Sequence, residues 1–261
     1  MNFTALASAA TANFVEHATR TVSSHPGADV AVTSDLVVSD SGLEIDTFNI
    51  VCAAKLGEGG VGVAVRRVRA QFGSRAFSWW VAPGDLPANL GVRLEAEGLA
   101  PSEASLAMFA DVVVGELPPI AEGVRIRRVR TPDQMASYAA ISAANWAPPD
   151  RILEGLYRSS APALLETGSP LRFYVAERSG APVAGVEIVL AAGVAGVYGL
   201  STLRELRRQG IGTSILAGAL ADSLAPSGGR VVLQAAAEGV GLYRRLGFAE
   251  FGSIVEHKPR P

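Results

Sequence analysis

The sequence predicts a mixed α/β protein with a mixed sheet, laid out in two parts. Three observations predict it. Apolar residues make up 49% of the 261 positions, enough for a sizeable core. In the second half, short alternating runs interleave with helical periodicity in the order β-α-α-β-β-β-α-β-α-β. The glycine spacing of that half recurs in the first.

Taken along the chain, "MNFTALASAATANFVEHATR" spaces Leu6, Ala10, Phe14, Val15 and Ala18 as an amphipathic helix. "FNIVCAAKL" is an apolar run that makes Cys52 a buried small hydrophobe. "GEGGVGVAVRRVRAQF" sets Gly60 and Gly62 before a helical pattern. "FSWWVAPG" reads as a strand with Trp79 and Trp80 on opposite faces, for packing or for stacking on a ligand. Gly98 follows a further helical stretch. Pro118-Pro119 and a fresh strand after them place a boundary near Ala121, giving units 1–120 and 121–261. Beyond it "GVRIRRVR" alternates as a strand, and Thr-Pro-Asp at 131–133 opens a helix with proline in its first turn. A second helical pattern, "PPDRILEGLYRSSAPALLET", is interrupted at Pro162. "LRFYVAER", "APVAGVEIVLAAG" and "VAGVYGLSTL" are three strands joined by short turns. A helix runs to about Leu224, then come the strand "RVVLQAAA", the short helix "GVGLYRRLGF" and a last strand, "AEFGSIVEHK".

Composition narrows the function. With 23 basic and 25 acidic residues, bulk charge offers nothing to nucleic acid or another polyanion. One cysteine and three scattered histidines, His17, His25 and His257, give no disulfide framework and no metal-ligand spacing. The N-terminus lacks the basic start and apolar block of a signal peptide, and no run is long enough to span a membrane, so the expectation is a cytoplasmic protein with no membrane partner.

The chemistry concentrates in "RRQGIGTSIL", Arg207–Leu216, which lies between a strand and a helix. The first amides of a helix have no partner within it, and the helix dipole adds positive charge there. Gly210 and Gly212 let an anion approach that backbone, Arg207 and Arg208 add formal charge, and Thr213 adds a hydroxyl. This is a cradle for phosphate. The Walker pattern needs a lysine before Thr213 and the dinucleotide pattern a glycine at position 215, which is Ile, so neither fits.

Arg207-x-x-Gly210-x-Gly212 after a strand, followed by Tyr243-x-x-x-Gly247-Phe248, resembles the GCN5-related N-acetyltransferase (GNAT) superfamily over residues 124–261. The resemblance implies an acyl-CoA N-acyltransferase fold. It implies that the amides of Arg208, Gln209, Gly210, Ile211, Gly212 and Thr213 bind the pyrophosphate of acetyl-CoA. Leu200, Ser201, Thr202 and Leu203 would pair with the pantetheine arm, with a backbone amide near Leu203 steadying the oxyanion. Tyr243 would protonate the departing thiolate during direct attack by an amine. Many members carry Asn or Ser where this chain has Ala236, a contact that Glu238 takes over or that is lost. Glu187, on an otherwise apolar strand, is either the general base or a solvent-facing residue. No metal is implied.

Gly62 and Gly98 lie 36 positions apart, Gly212 and Gly247 35, so the first half reads as a degenerate repeat of the second and the whole as two tandem GNAT-like domains. Gly57 stands for Arg207 and Leu94 for Tyr243, and Glu58 would repel phosphate. The first half is therefore expected to be non-catalytic. Asn145, Trp146 and Tyr157 are candidates to shape the pocket of a small-molecule amine or peptide acceptor, in a monomer or homodimer. A CoA-binding regulator without catalysis and a general phosphoanion or nucleotide binder stay open beside the N-acetyltransferase.

Overall fold

Asn2 accepts a hydrogen bond from the amide of Ala5 and starts helix α1, Phe3–Ser23. In the computed structural model, which describes residues 2–260, strands β1 (Asp29–Val32), β2 (Val37–Asp40) and β3 (Ile50–Cys52) follow, then α2 (Val61–Phe72), β4 (Ser78–Val81), α3 (Leu90–Ala96) and β5 (Leu99–Val112). After the segment containing the proline pair come β6 (Val124–Arg128), α4 (Pro132–Ala143) and α5 (Arg151–Leu164). The chain ends with β7 (Leu171–Arg178), β8 (Ala181–Ala191), β9 (Val194–Thr202), α6 (Ile211–Ser223), β10 (Gly229–Ala235), α7 (Val240–Arg245) and β11 (Ala249–Pro259).

The second-half order is the one the sequence predicts. Thr131 caps α4 through the amide of Gln134, with Pro132 as first helical residue. One expectation fails: Pro162 does not interrupt α5. It sits in the last turn, where its missing N–H removes only a terminal bond.

All strands join one eleven-stranded sheet in the order β1-β2-β3-β4-β11-β5-β10-β9-β8-β7-β6. The repeat is visible as topology. β1-β2-β3-α2-β4-α3-β5 matches β7-β8-β9-α6-β10-α7-β11, each with one parallel pair, β3 with β4 and β9 with β10. Gly98 and Gly247, each just past a short helix, take matching left-handed φ of 83° and 82°. The last strands are exchanged. β11 lies between β4 and β5 of the first half, and β5 lies between β11 and β10 of the second.

The core divides by face. α6 and α7 bury Ile211, Ile215, Leu220 and Tyr243 against Val186, Ile188, Val197 and Leu233, and α2 and α3 cover the same face over the first half, around Trp79 and Leu94. α1, α4 and α5 cover the other face, around Phe14, Tyr138, Tyr157 and Phe173. Trp80 points to this second face, so the two tryptophans do lie on opposite sides. Cys52 is buried as expected, and burial pushes its thiol pKa up, keeping it neutral. No helix among the described residues is long and apolar enough to cross a membrane.

Candidate functional site

β9 leaves β10 early. Their parallel pairing covers Ala195–Val197 against Val231–Leu233 and stops there, although both strands run on. A bulge between the Gly185–Ser201 and Glu187–Tyr198 pairs turns β9 at Gly199, and the sheet opens between Tyr198 and Gln234. The chain then makes one 3-10 turn, Arg204–Leu206, and reaches the glycine loop.

That loop presents free amides and positive charge together. Arg207, Arg208, Gln209 and Gly210 are exposed. Arg208 and Gly210 have φ of 63° and 78°, and the strained left-handed arginine is the kind of backbone feature that clusters at binding sites. Gly210 is the N-cap of α6 and supplies no side-chain cap. The first bond into the helix is from Ser214 N to Gly210 O, and the amides of Arg208 through Thr213 donate to no other group among the described residues. The loop is fixed from outside: Arg178 binds the Gln209 side chain at 2.5 Å and Arg207 Nε binds Thr202 O at 3.1 Å. Arg207 also reaches Asn145 Oδ1 at 3.5 Å, which brings the α4–α5 loop and its exposed Trp146 to the same end of the sheet. Side-chain positions at Gly212 face Thr202 and Leu242, so the end of β9, the first turn of α6 and α7 converge.

The backbone near Leu203 separates into bonded and free amides. Leu203 N is spent on Val183 O at 3.0 Å, so it is not free to steady an oxyanion. Thr202 pairs with Ala184 between such bonded positions, and antiparallel alternation turns its N–H and C=O away from β8, toward the opening. Leu200 is half-buried beside it, and Ser201 is buried with its hydroxyl unpartnered.

Tyr243 is buried on α7, edge-on to Phe248, and burial raises its phenol to about 12. Glu238 is exposed on the turn into α7 and makes no ion pair among the described residues. Glu187 is not solvent-facing. It is fully buried, its Oε1 accepts from His17 Nδ1 at 3.0 Å, and its Oε2 has no partner. His17 stacks on Tyr198 with ring centroids 4.0 Å apart. Tyr157 packs edge-on to Tyr138 in the core. The histidine is the residue that sequence spacing could not find, since it arrives from α1. Among the described residues no group of His, Cys, Asp and Glu could hold a metal ion.

The equivalent loop of the first half is already occupied by acid. Glu97 Oε1 lies against Gly62 in the first turn of α2, where an added Cβ would meet it at 2.6 Å. Glu58 stands nearby, paired with Arg93 at 3.5 Å.

Residues 169–250 match the acetyltransferase (GNAT) domain family. No curated protein matches the sequence. Among solved structures, the chain is similar to a GCN5-related N-acetyltransferase from Kribbella flavida (20% identity, 96% of each chain, TM-score 0.69). It is also similar to one from Sphaerobacter thermophilus (19% identity, 88% of this chain and 82% of that one, TM-score 0.58). A tandem GNAT protein of the clavulanic acid biosynthesis pathway matches 85% of this chain and 77% of its own (18% identity, TM-score 0.56). The fold is thus the acyl-CoA N-acyltransferase fold, and the GNAT domain match lies within the second half.

Proposed function

We propose that this protein is an N-acetyltransferase that moves the acyl group of acetyl-CoA to an amine. The GNAT domain and fold support an acetyltransferase-type function. One observation carries the finer reading: an opened strand pair ends directly on a loop whose amides, from Arg208 through Thr213, have no partner. A pyrophosphate needs many donors and positive charge together. The loop has both, through its amides, the dipole of α6 and Arg208. The pantetheine arm needs amide-to-amide pairing, for which the outward N–H of Thr202 is available.

Acetyl-CoA supplies an acyl carbon activated as a thioester. The chain's own groups then have simple tasks. A backbone N–H on the open edge of β9 is the donor for negative charge on the acyl oxygen. Tyr243 stays protonated at neutral pH and can donate to a departing thiolate, a role typically worth about 10²–10⁴-fold. Glu187 has no surface of its own and orients His17.

The test is calorimetric titration of CoA into the native protein and a Gly210→Val variant. A branched side chain at φ 78° strains the loop and crowds the phosphate approach, so affinity should fall tenfold or more. Full affinity in the variant would overturn the assignment.

A further inference from the structure

The face under α1 carries a narrow cleft where the two halves meet. Its position follows from the repeat. β9 and β10 part after Val197 and Leu233, and the next residues, Tyr198 and Gln234, line the cleft. β3 and β4 part after Val51 and Trp79, and the next residues there, Cys52 and Trp80, line it too. Both sheet openings therefore look into one cavity. α1 roofs it with Ala10 and Phe14, and the exchanged strands add Ala107 and Phe251.

The lining has a distinct chemistry. No Asp, Glu, Lys or Arg contributes to it, and three rings, Phe14, Trp80 and Tyr198, stand around one end. The Tyr198 hydroxyl is already given to Asn13 Oδ1 at 2.9 Å. Trp80 Nε1 is buried with no partner, and the Gln234 side chain makes no hydrogen bond among the described residues. A ligand here must be mostly apolar and thin, with a single acceptor or two for these groups. Polyols, polyamines and amino sugars would leave polar groups unpaired.

Resting on the acetyltransferase reading, we propose that this cleft is the acceptor subsite and takes a primary amine on an uncharged, flat, aromatic body. An apolar lining disfavours the ammonium form. The amine therefore reaches the opening as the free base, the form that attacks a thioester: the C–N bond forms, the C–S bond breaks, and the amine's proton leaves as the thiolate is protonated.

The experiment uses the full chain saturated with CoA and titrates in 2-phenylethylamine, tryptamine, spermidine and glucosamine. A thiol-release assay with acetyl-CoA runs the same four amines. Two variants, Ala10→Phe and Ala82→Leu, fill the cleft from its roof and its first-half wall. The aromatic amines should bind and turn over with kcat/KM at least tenfold above the polar ones. Each folded variant should lose tenfold or more in affinity for 2-phenylethylamine while CoA affinity holds. Equal or better use of spermidine or glucosamine, or an unchanged aromatic Kd in both variants, would overturn the subsite. Absence of CoA binding in the native chain would instead overturn the acetyltransferase reading. The amine titration repeated without CoA would then decide the cleft alone: aromatic binding that the variants weaken supports it, and none overturns it.

Discussion

A phenol serves as an acid only while it holds its proton and can reach a base as it forms. Burial gives Tyr243 the first property, with its pKa raised to about 12. We expect Tyr243→Phe to lower kcat about 10²-fold with CoA affinity unchanged, as read by thiol release and calorimetry. Unchanged turnover would make the residue a packing tyrosine. Asp85 offers a test of a different kind. It is buried, Oδ2 accepts from Ala82 N at 2.9 Å, Oδ1 has no partner, and burial raises its carboxyl from 3.8 to about 6. The folded state therefore holds this proton more tightly than the unfolded chain. That contribution to stability is complete below pH 3.8 and lost as pH rises through about 6. Asp85→Asn should then gain stability over the native protein at pH 8, by about 2–3 kcal/mol, and little at pH 4. Equal differences at both pH values in urea melts would remove the carboxyl as the cause. At this scale the sequence was legible where chemistry is local. Gly210, Arg208 and Tyr243 stand in a spacing that the fold keeps. Which amide near Leu203 is free was not legible, because it depends on which edge of a bulged strand faces β8, and no side chain records that.

Among the elements, α6 and α1 stand at opposite ends of legibility. The start of α6 is written in its glycine loop. The periodicity of α1 gave its helical face, but its site role depends on residues some 170–185 positions away. Asn13 inserts into the sheet and gives its amide hydrogens to Val189 O, Ala191 O and Val194 O at 2.9, 3.1 and 3.2 Å, while taking the Tyr198 hydroxyl. It can do so because position 196 is glycine, where a Cβ would lie 1.9 Å from Asn13 Oδ1. Ser39 and Ser160 tie the same helix on either side, through Ala18 O and Thr21 O. Replacing Asn13 by Leu keeps the volume and leaves those carbonyls and one hydroxyl short of partners. A loss of roughly 3 kcal/mol or more is expected, since each buried unpaired group costs about 1–3 kcal/mol. A chemical denaturation midpoint within error of the native protein would show that α1 is held by its apolar face alone. The hairpin of β1 and β2 passed unread in the sequence because "DVAVTSDLVVSD" mixes turn residues with short apolar runs, and its inner residues are fixed by α1.

For the whole molecule, glycine spacing made the repeat legible, but not the exchange of last strands, since β5 and β11 would pair with either half by pattern alone. That exchange decides what the halves can do apart. β11 is bounded by β4 and β5, and β10 by β5, so residues 122–261 made alone would expose three strand edges that the full chain covers. We expect that piece to aggregate, and to become soluble when residues 1–120 are produced with it. A soluble monomeric piece with native CoA affinity would contradict this. Joint folding still leaves one binding loop, not two. The loop of the second half has unpartnered amides and exposed arginines, whereas the first turn of α2 meets the Glu97 carboxylate at Gly62, with Glu58 close by. Phosphate at α2 would stand against like charge. Calorimetry on the full chain should therefore give one CoA per chain, and Gly210→Val should remove that single event rather than half of a larger signal. A stoichiometry of two, or a residual site of undiminished affinity in the variant, would show that the first half binds cofactor in spite of its acids.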